Sequence, residues 1–296
     1  MFLILYLFVA NYSKPDYSNF SNKFSDFYQQ QLVSIQTSPP SIETLKRPVF
    51  ITAHGFGASP FEWHDFSDYI TTHTNALVSN VYLGSHHSLT EFSHASWEDW
   101  LEPICQEYQR LVNLGFETIY LCGCSTGSTL IIQGLLNNCF RPTLPLKHIF
   151  LIDSLVEPKE KLLYWIPWIK QFIYDQKLSL NNNESPHWLP YRPKQSLIQL
   201  LRLIKKTKND LKQGIDFPAH INISLFQSQF DPVIDQNSHS DLYQGLSKRI
   251  SRNISSFTIN SNLHVFSRLS HRSTINPTDI ENQNFFFNHV KESIAT

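Results

Sequence analysis

The sequence lacks an excess of charge of either sign. Its 24 Lys and Arg stand against 25 Asp and Glu, a formal net charge of -1. Phosphate backbones are held by a basic field that such a chain does not have, which argues against nucleic acid as a partner. It also lacks an apolar run long enough to cross a membrane: the opening "MFLILYLFVA" falls short of the roughly 18 to 20 residues a spanning helix needs. No basic segment precedes that run, and Phe8 fills the place where cleavage after Ala10 would require a small residue. Two readings of it stand open: a trimmed signal or anchor, or a plain apolar strand or tail. The compartment follows the same division, cytoplasmic in one case and exported or membrane-associated through residues 2–10 in the other. Cysteine is scarce, and the four present, Cys105, Cys122, Cys124 and Cys139, suggest neither a disulfide framework nor paired CxxC zinc ligands. Buried free thiols are the favoured reading.

What the chain does have is 41% hydrophobic and 14% aromatic residues over 296 positions, enough to bury a large core as one body carrying an insertion. Residues 1–46 read as an apolar segment and a polar connector, with one short helix expected over residues 22–32. From Pro48 onward, short apolar runs alternate with helical patterns. "VFITAHG", "ALVSNVYLG", "ETIYLCG", "KHIFLID", "INISLFQ" and "SSFTIN" are strand candidates. Helices are expected over residues 59–72, 96–113 and 126–138, the first with Ser59-Pro60 as N-cap and N1. Strands that are almost wholly apolar, spaced by helices, indicate a parallel sheet covered on both faces. The alternation breaks over residues 155–217, which are rich in Trp and Tyr and hold a helical stretch from Ser196, and which therefore read as a helical insertion between two halves of the core, 47–154 and 218–296.

Gly123-Cys124-Ser125-Thr126-Gly127 fits G-x-S-x-G between a strand and a helix. In that context the flanking glycines permit a turn tight enough to push the Ser125 hydroxyl out above the sheet edge, as a nucleophile requires. A serine hydroxyl reacts only when a histidine takes its proton and an acid orients that histidine. Asp231 comes first after a strand, with Asp235 as its rival. His264 lies 264 − 231 = 33 residues further on, room for one helix and one strand, with His271 as the alternate. An acyl-transfer site also needs donors for an oxyanion, and the backbone N–H groups of Thr126 and of Phe56, in "AHGFGASP", stand where such donors are expected.

These segments together resemble the α/β-hydrolase superfamily from about Arg47 to the C-terminus, and within it bacterial carboxylesterases and monoacylglycerol-lipase-type enzymes. The resemblance rests on "HGFGASP", "SWEDWLEP", "GCSTG", "DPVID" and "LHVF", and on "YRPKQSLIQLLRLIKKTKNDL" ahead of "FPAHINISLFQSQFD". It implies an α/β fold with a mostly parallel central sheet, helices on both faces and a small helical lid inserted after the sixth strand. It further implies Ser125, Asp231 and His264 as catalytic triad, with Phe56 and Thr126 as oxyanion donors and no metal or cofactor. The sequence departs from the pattern at Gly84-Ser85-His86, at Ser128 and in residues 1–46, which leaves substrate and location open.

The activity expected is hydrolysis of a small acyl ester or lipid, a monoacylglycerol or medium-chain ester, through an acyl-enzyme. A lysophospholipase or acyltransferase on the same triad and a binding module without turnover are the alternatives. Trp188, Trp165 and Trp168 are the candidate pocket walls. The Leu197, Leu200, Leu201 and Ile204 face is expected mainly to pack the insertion onto the body.

Overall fold

A computed structural model describes residues 40–166, 175–178, 185–248 and 253–295. The helix expected over residues 22–32, the asparagine run at 181–183 and Trp168 lie outside the described residues. Among those described, no helix is long and apolar enough to cross a membrane.

Six strands form one sheet: β1 (Val49–Ala53), β2 (Leu77–Val81), β3 (Ile119–Cys124), β4 (Leu146–Ile152), β7 (Asn222–Ser228) and β8 (Ile254–Ile259). Two further short strands, β5 (Gln176–Lys177) and β6 (Tyr191–Arg192), pair antiparallel within the insertion. The order in the large sheet is β2-β1-β3-β4-β7-β8, and every pairing is parallel. Val, Ile, Phe and Leu fill the central strands, and every residue of β1 and β3 is buried, because helices cover both faces. The insertion follows the fourth strand of this sheet, not the sixth, since the described part of the sheet begins at Val49.

One face is closed by α2 (His64–His73) and α8 (Pro277–Ala295), whose Phe66, Ile70, Phe286 and Val290 pack on Phe50, Phe150 and Phe226. The helix expected over residues 59–72 is broken into a 3-10 turn, Pro60–Trp63, and then α2. The other face is closed by α4 (Trp97–Leu114), α5 (Thr126–Leu136), α6 (Lys194–Gln213) and α7 (Asn237–Ser247). Two short helices, α1 (Ile42–Leu45) and α3 (Leu89–His94), complete the set used here. α4 starts where Ser96 and Asp99 cap each other reciprocally, which satisfies two of the N–H groups a helix start leaves unbonded.

α6 divides the expected lid. Leu200, Leu203, Ile204 and Leu211 enter the main core, and Gln133 of α5 donates to Thr207 and Asp210. Leu197 and Leu201 instead join Ile166 in a small cluster against Phe56. The C-terminal half of α6 is thus a layer of the body.

The strand registers align the C-terminal ends: Ala53 pairs with Gly123, Cys124 with Ile152, Ile152 with Phe226 and Ser228 with Ile259. Loops leaving β1, β3, β4, β7 and β8 therefore start from one edge. The chain runs outward from β1 to β2, then crosses back over β1 to β3, so the strand order reverses between β1 and β3. Ligand sites of open parallel sheets form at such a crevice.

Cys105 and Cys139 form a disulfide, where free thiols are expected from the sequence. α4 and α5 lie side by side, and the turn after α5 brings the two Cα atoms to 5.2 Å, inside the range a disulfide spans. Cys122 and Cys124 are free and buried, and burial pushes both thiols well above their ordinary pKa. The disulfide closes a 34-residue separation. On chain-entropy grounds the reduced protein should be less stable by about 3 to 4 kcal/mol; urea melts with and without reductant, and of Cys139→Ser, measure it.

Candidate active site

At the end of β3 the backbone turns into α5 within one residue. Ser125 takes φ 51° and ψ -119°, and its N–H is held by the carbonyl of Ile152 at 2.9 Å. Such dihedrals cost a residue with a Cβ about 1 to 3 kcal/mol, so packing must enforce them. Two glycines allow that packing. A Cβ on Gly123 would sit 2.7 Å from the Ser128 Cα, and one on Gly127 would overlap the Ala53 carbonyl and lie 2.6 Å from that of His54. α5 is thereby pressed against the end of β1, beside the loop that holds Phe56.

Ser125, Asp231 and His264 come together from three loops. The His264 ring lies with Nε2 3.0 Å from Ser125 Oγ and Nδ1 2.8 Å from Asp231 Oδ2. The carboxylate fixes the tautomer: Nδ1–H donates to Asp231, and Nε2 accepts from the serine. Asp231 is 2% exposed, and its other oxygen accepts the N–H groups of Val233 and Ile234 at 2.7 and 2.9 Å. Burial alone would lower the His264 pKa. The Asp231 hydrogen bond and charge, helped by Asp153 and Glu62, outweigh it and raise the pKa above its ordinary value.

The rival residues are engaged elsewhere. Asp235 pairs with Lys161 at 2.9 Å, and His271 lies against the rings of Phe61 and His187. Of the other histidines that follow Asp231 in the sequence, His239 meets Ser256 and His289 meets Ser224.

Thr126 is the first residue of α5, so its N–H is one that a helix start leaves unbonded, at the positive end of the helix dipole. Phe56 follows Gly55 in a loop pinned from several sides. His54 donates Nδ1–H to the Gly55 carbonyl at 2.9 Å and accepts the Leu83 N–H at 3.1 Å on Nε2, and burial lowers its pKa to about 3, which keeps it neutral. Glu62 accepts the Gly55 N–H at 2.6 Å and the Cys124 thiol at 3.3 Å.

Two buried acids here carry no mark in the sequence motifs. Glu62 is 6% exposed, under the loop of Phe56. Asp153 is wholly buried at the end of β4, with φ 44°. Its Oδ1 accepts the Ser228 N–H at 2.6 Å, and its Oδ2 accepts the Ser228 hydroxyl at 3.1 Å and the Val265 N–H at 2.9 Å. Burial, then the charge of Asp231, raise its pKa to about 7. An acid at the end of the strand "KHIFLID" was the available signal, but its importance depends on β4 lying next to β7. Asp153, Asp231 and His264 offer ligand atoms within 4.8 Å of one another. These same carboxylate and imidazole groups are tied into the hydrogen bonds just given.

The insertion meets the Phe56 loop and the loop after His264. The Leu189 N–H donates to the Gly57 carbonyl at 2.8 Å, which ties the insertion to the Phe56 loop. Phe61 stacks on His187 at 3.6 Å, and Arg268, from the loop after His264, lies 4.6 Å from the ring of Trp188. Ser125 is left 5% exposed. Of the candidate pocket walls, Trp188 is half-buried beside Arg268. Trp165 ends a 3-10 helix and is 61% exposed among the described residues. Phe56 packs against Phe92 and Trp100 and against the cluster of Leu197, Leu201 and Ile166. A separate hollow of about 370 Å³ between α6 and α7, lined by Lys208, Lys212, Asp241 and Lys248 among others, does not reach these residues.

No protein-family model and no curated protein matches the sequence. Solved structures do resemble it. One of the metagenome-derived lipolytic enzymes LipS and LipT matches at 14% identity with a TM-score of 0.65, over 83% of this chain and 94% of its own. The monoacylglycerol lipase of Paleococcus ferrophilus matches at 12% with a TM-score of 0.57, over 83% and 95%. Mouse alpha/beta hydrolase domain-containing protein 10 matches at 14% with a TM-score of 0.54, over 84% and 90%. Likeness at this level shows the fold, and the chain has the α/β-hydrolase fold.

The close approach at Gly127 gives a direct expectation. Gly127→Ala should destabilise the protein by about 2 to 5 kcal/mol, since the new methyl meets backbone that cannot swing aside. Urea denaturation of the two proteins measures it; an unchanged midpoint would mean that α5 is not held against β1.

Proposed function

We propose that the protein is a serine hydrolase that cleaves carboxylic esters through an acyl-enzyme on Ser125. The observation that carries this reading is the line from Ser125 Oγ to His264 Nε2 at 3.0 Å and from His264 Nδ1 to Asp231 at 2.8 Å, with the serine on a strained turn at a helix start. His264 takes the Ser125 proton as Oγ attacks the ester carbonyl. The carbonyl oxygen becomes an oxyanion that the N–H groups of Phe56 and Thr126 receive. The imidazolium, faced by Asp231, then returns its proton to the departing alcohol. Water repeats the sequence against the acyl-enzyme and releases the acid. The chemistry calls for no metal or organic cofactor.

The acyl chain belongs against Phe56, Leu197, Leu201 and Ile166, an apolar lining that suits a medium-length chain. A monoacylglycerol or another medium-chain acyl ester is the substrate class this favours, and the lipolytic and monoacylglycerol-cleaving enzymes of the same fold support it. Residues 185–193, joined to the Phe56 loop through Leu189, are the candidates for a lid over this lining.

A fluorophosphonate probe should label the protein with a single adduct, and Ser125→Ala should not be labelled. His264→Ala should be labelled roughly 10³-fold more slowly or worse. Labelling needs a neutral His264, whose pKa is raised by its carboxylate neighbours. The rate should therefore fall as pH drops through a midpoint above 6.5, the ordinary histidine value. Folded wild type that takes no label would remove the hydrolase reading.

A further inference from the structure

Asp153 lies deeper than Asp231 and reaches the site from a different strand. Its Oδ2 holds the N–H of Val265, the residue directly after His264, and both its oxygens hold Ser228, the last residue of β7. Val265 has φ 58°, a left-handed conformation that a β-branched side chain adopts only under compulsion. The compulsion has two parts: Asp153 takes the N–H from inside, while Arg272 donates to the carbonyls of His264 and Val265 at 2.6 and 3.0 Å from the other side. Asp153 itself has φ 44°. Two strained residues thus meet through one hydrogen bond, immediately behind the imidazole. A neutral acceptor could hold Val265 alone. An ionisable carboxyl placed with its oxygen within 4.8 Å of ligand atoms of Asp231 and His264 does more, because its charge acts on the ring.

We propose that Asp153 is a positioning residue of the hydrolytic site: it pins the backbone that carries His264 and supplies a second negative charge which the imidazolium faces. This rests on the proposed serine-hydrolase reading. The arrangement gives the histidine two carboxylates with divided tasks. Asp231 hydrogen-bonds Nδ1 and orients the ring, and Asp153 acts through space and through the Val265 backbone. The other groups facing this cluster are Glu62 from the 3-10 turn Pro60–Trp63, Cys124 from β3, the Ser228 hydroxyl from β7 and Arg268 from the loop after His264. Glu62 acts in the same direction as Asp153 on the histidine. The Asp231 charge raises the pKa of Asp153, and His264 favours its ionised form.

The sign of the effect follows. Negative charge beside the ring stabilises the imidazolium and raises the pH at which His264 becomes a base. Removing that charge moves the acid limb of the reaction to lower pH, and it also slows the plateau, because the imidazolium formed in the transition state loses a partner.

The test is the pH dependence of the labelling rate by a neutral fluorophosphonate for wild type, Asp153→Asn, Ser228→Ala and Ser125→Ala. Asp153→Asn keeps an acceptor for Val265 but not the charge. Its midpoint should fall by about half a unit or more, with a plateau about tenfold lower. Ser228→Ala removes only the hydroxyl that favours ionised Asp153, and its midpoint should move the same way by less. This second variant keeps the test intact if Asp153→Asn does not fold. A midpoint that stays in place or rises in the folded variants, whatever happens to the plateau, would reduce Asp153 to a structural hydrogen-bond acceptor and overturn the proposal. Absence of Ser125-dependent labelling in wild type would instead overturn the hydrolase reading beneath it.

Discussion

The contact on which the site depends is the one between the first turn of α5 and the end of β1. It is close enough that Gly127 cannot carry a side chain, because the Ala53 and His54 carbonyls occupy that space. This closeness holds Ser125 in its positive φ at the start of α5. It also sets the serine beside the His54–Phe56 loop, which arrives from the neighbouring strand. Parallel pairing then does the remaining assembly. With the strand ends in register, the residues that follow β4, β7 and β8 reach the same edge, so one backbone approach and one sheet register suffice to gather side chains 139 positions apart in the chain.

The electrostatics of that edge are lopsided. Glu62, Asp153 and Asp231 are all buried, and each favours the charged form of one histidine. Three carboxyl groups so close repel one another, and burial with the nearby Asp231 charge accordingly raises the Asp153 pKa, while the His264 charge lowers it. The hydrogen bonds divide the load. Asp231 and Asp153 each accept two backbone N–H groups in all, while Glu62 takes one together with the Cys124 thiol. A histidine in this setting gains a proton readily and loses it less readily, which suits a base that must carry charge in the transition state and then give its proton back.

Much of this was legible in the sequence, for physical reasons that can be named. β1 and β3 are buried along their whole length and therefore appear as nearly continuous apolar runs, as does β4 over its last four residues. Gly123 and Gly127 bracket Ser125 because the turn tolerates nothing larger on either side. Asp231 and His264 stand directly after strands, where the parallel sheet presents its loops. What stayed hidden depends on three-dimensional neighbours. Asp153 ends a strand as an ordinary residue does until β4 is known to lie beside β7. Glu62, in "PFEW", looks like a surface helix residue until the 3-10 turn folds it under Gly55. The Cys105–Cys139 bond requires α4 and α5 to lie side by side, and a 34-residue separation containing a strand conveys nothing of that. α6 reads as lid because it follows an irregular segment, yet its Leu203, Ile204 and Leu211 belong to the core of the body.

The central claim is that Ser125 carries the acyl group between two half-reactions. Rapid quenching of the protein with a short-chain p-nitrophenyl ester, followed by digestion and mass spectrometry of the peptides, tests it most directly. The account predicts an acyl mass on the peptide that contains Ser125, formed at the rate of an initial burst of one p-nitrophenol per chain and lost at the steady-state rate. Turnover of the ester with no acylated Ser125 peptide at any time, or with the acyl group on another residue, would contradict it.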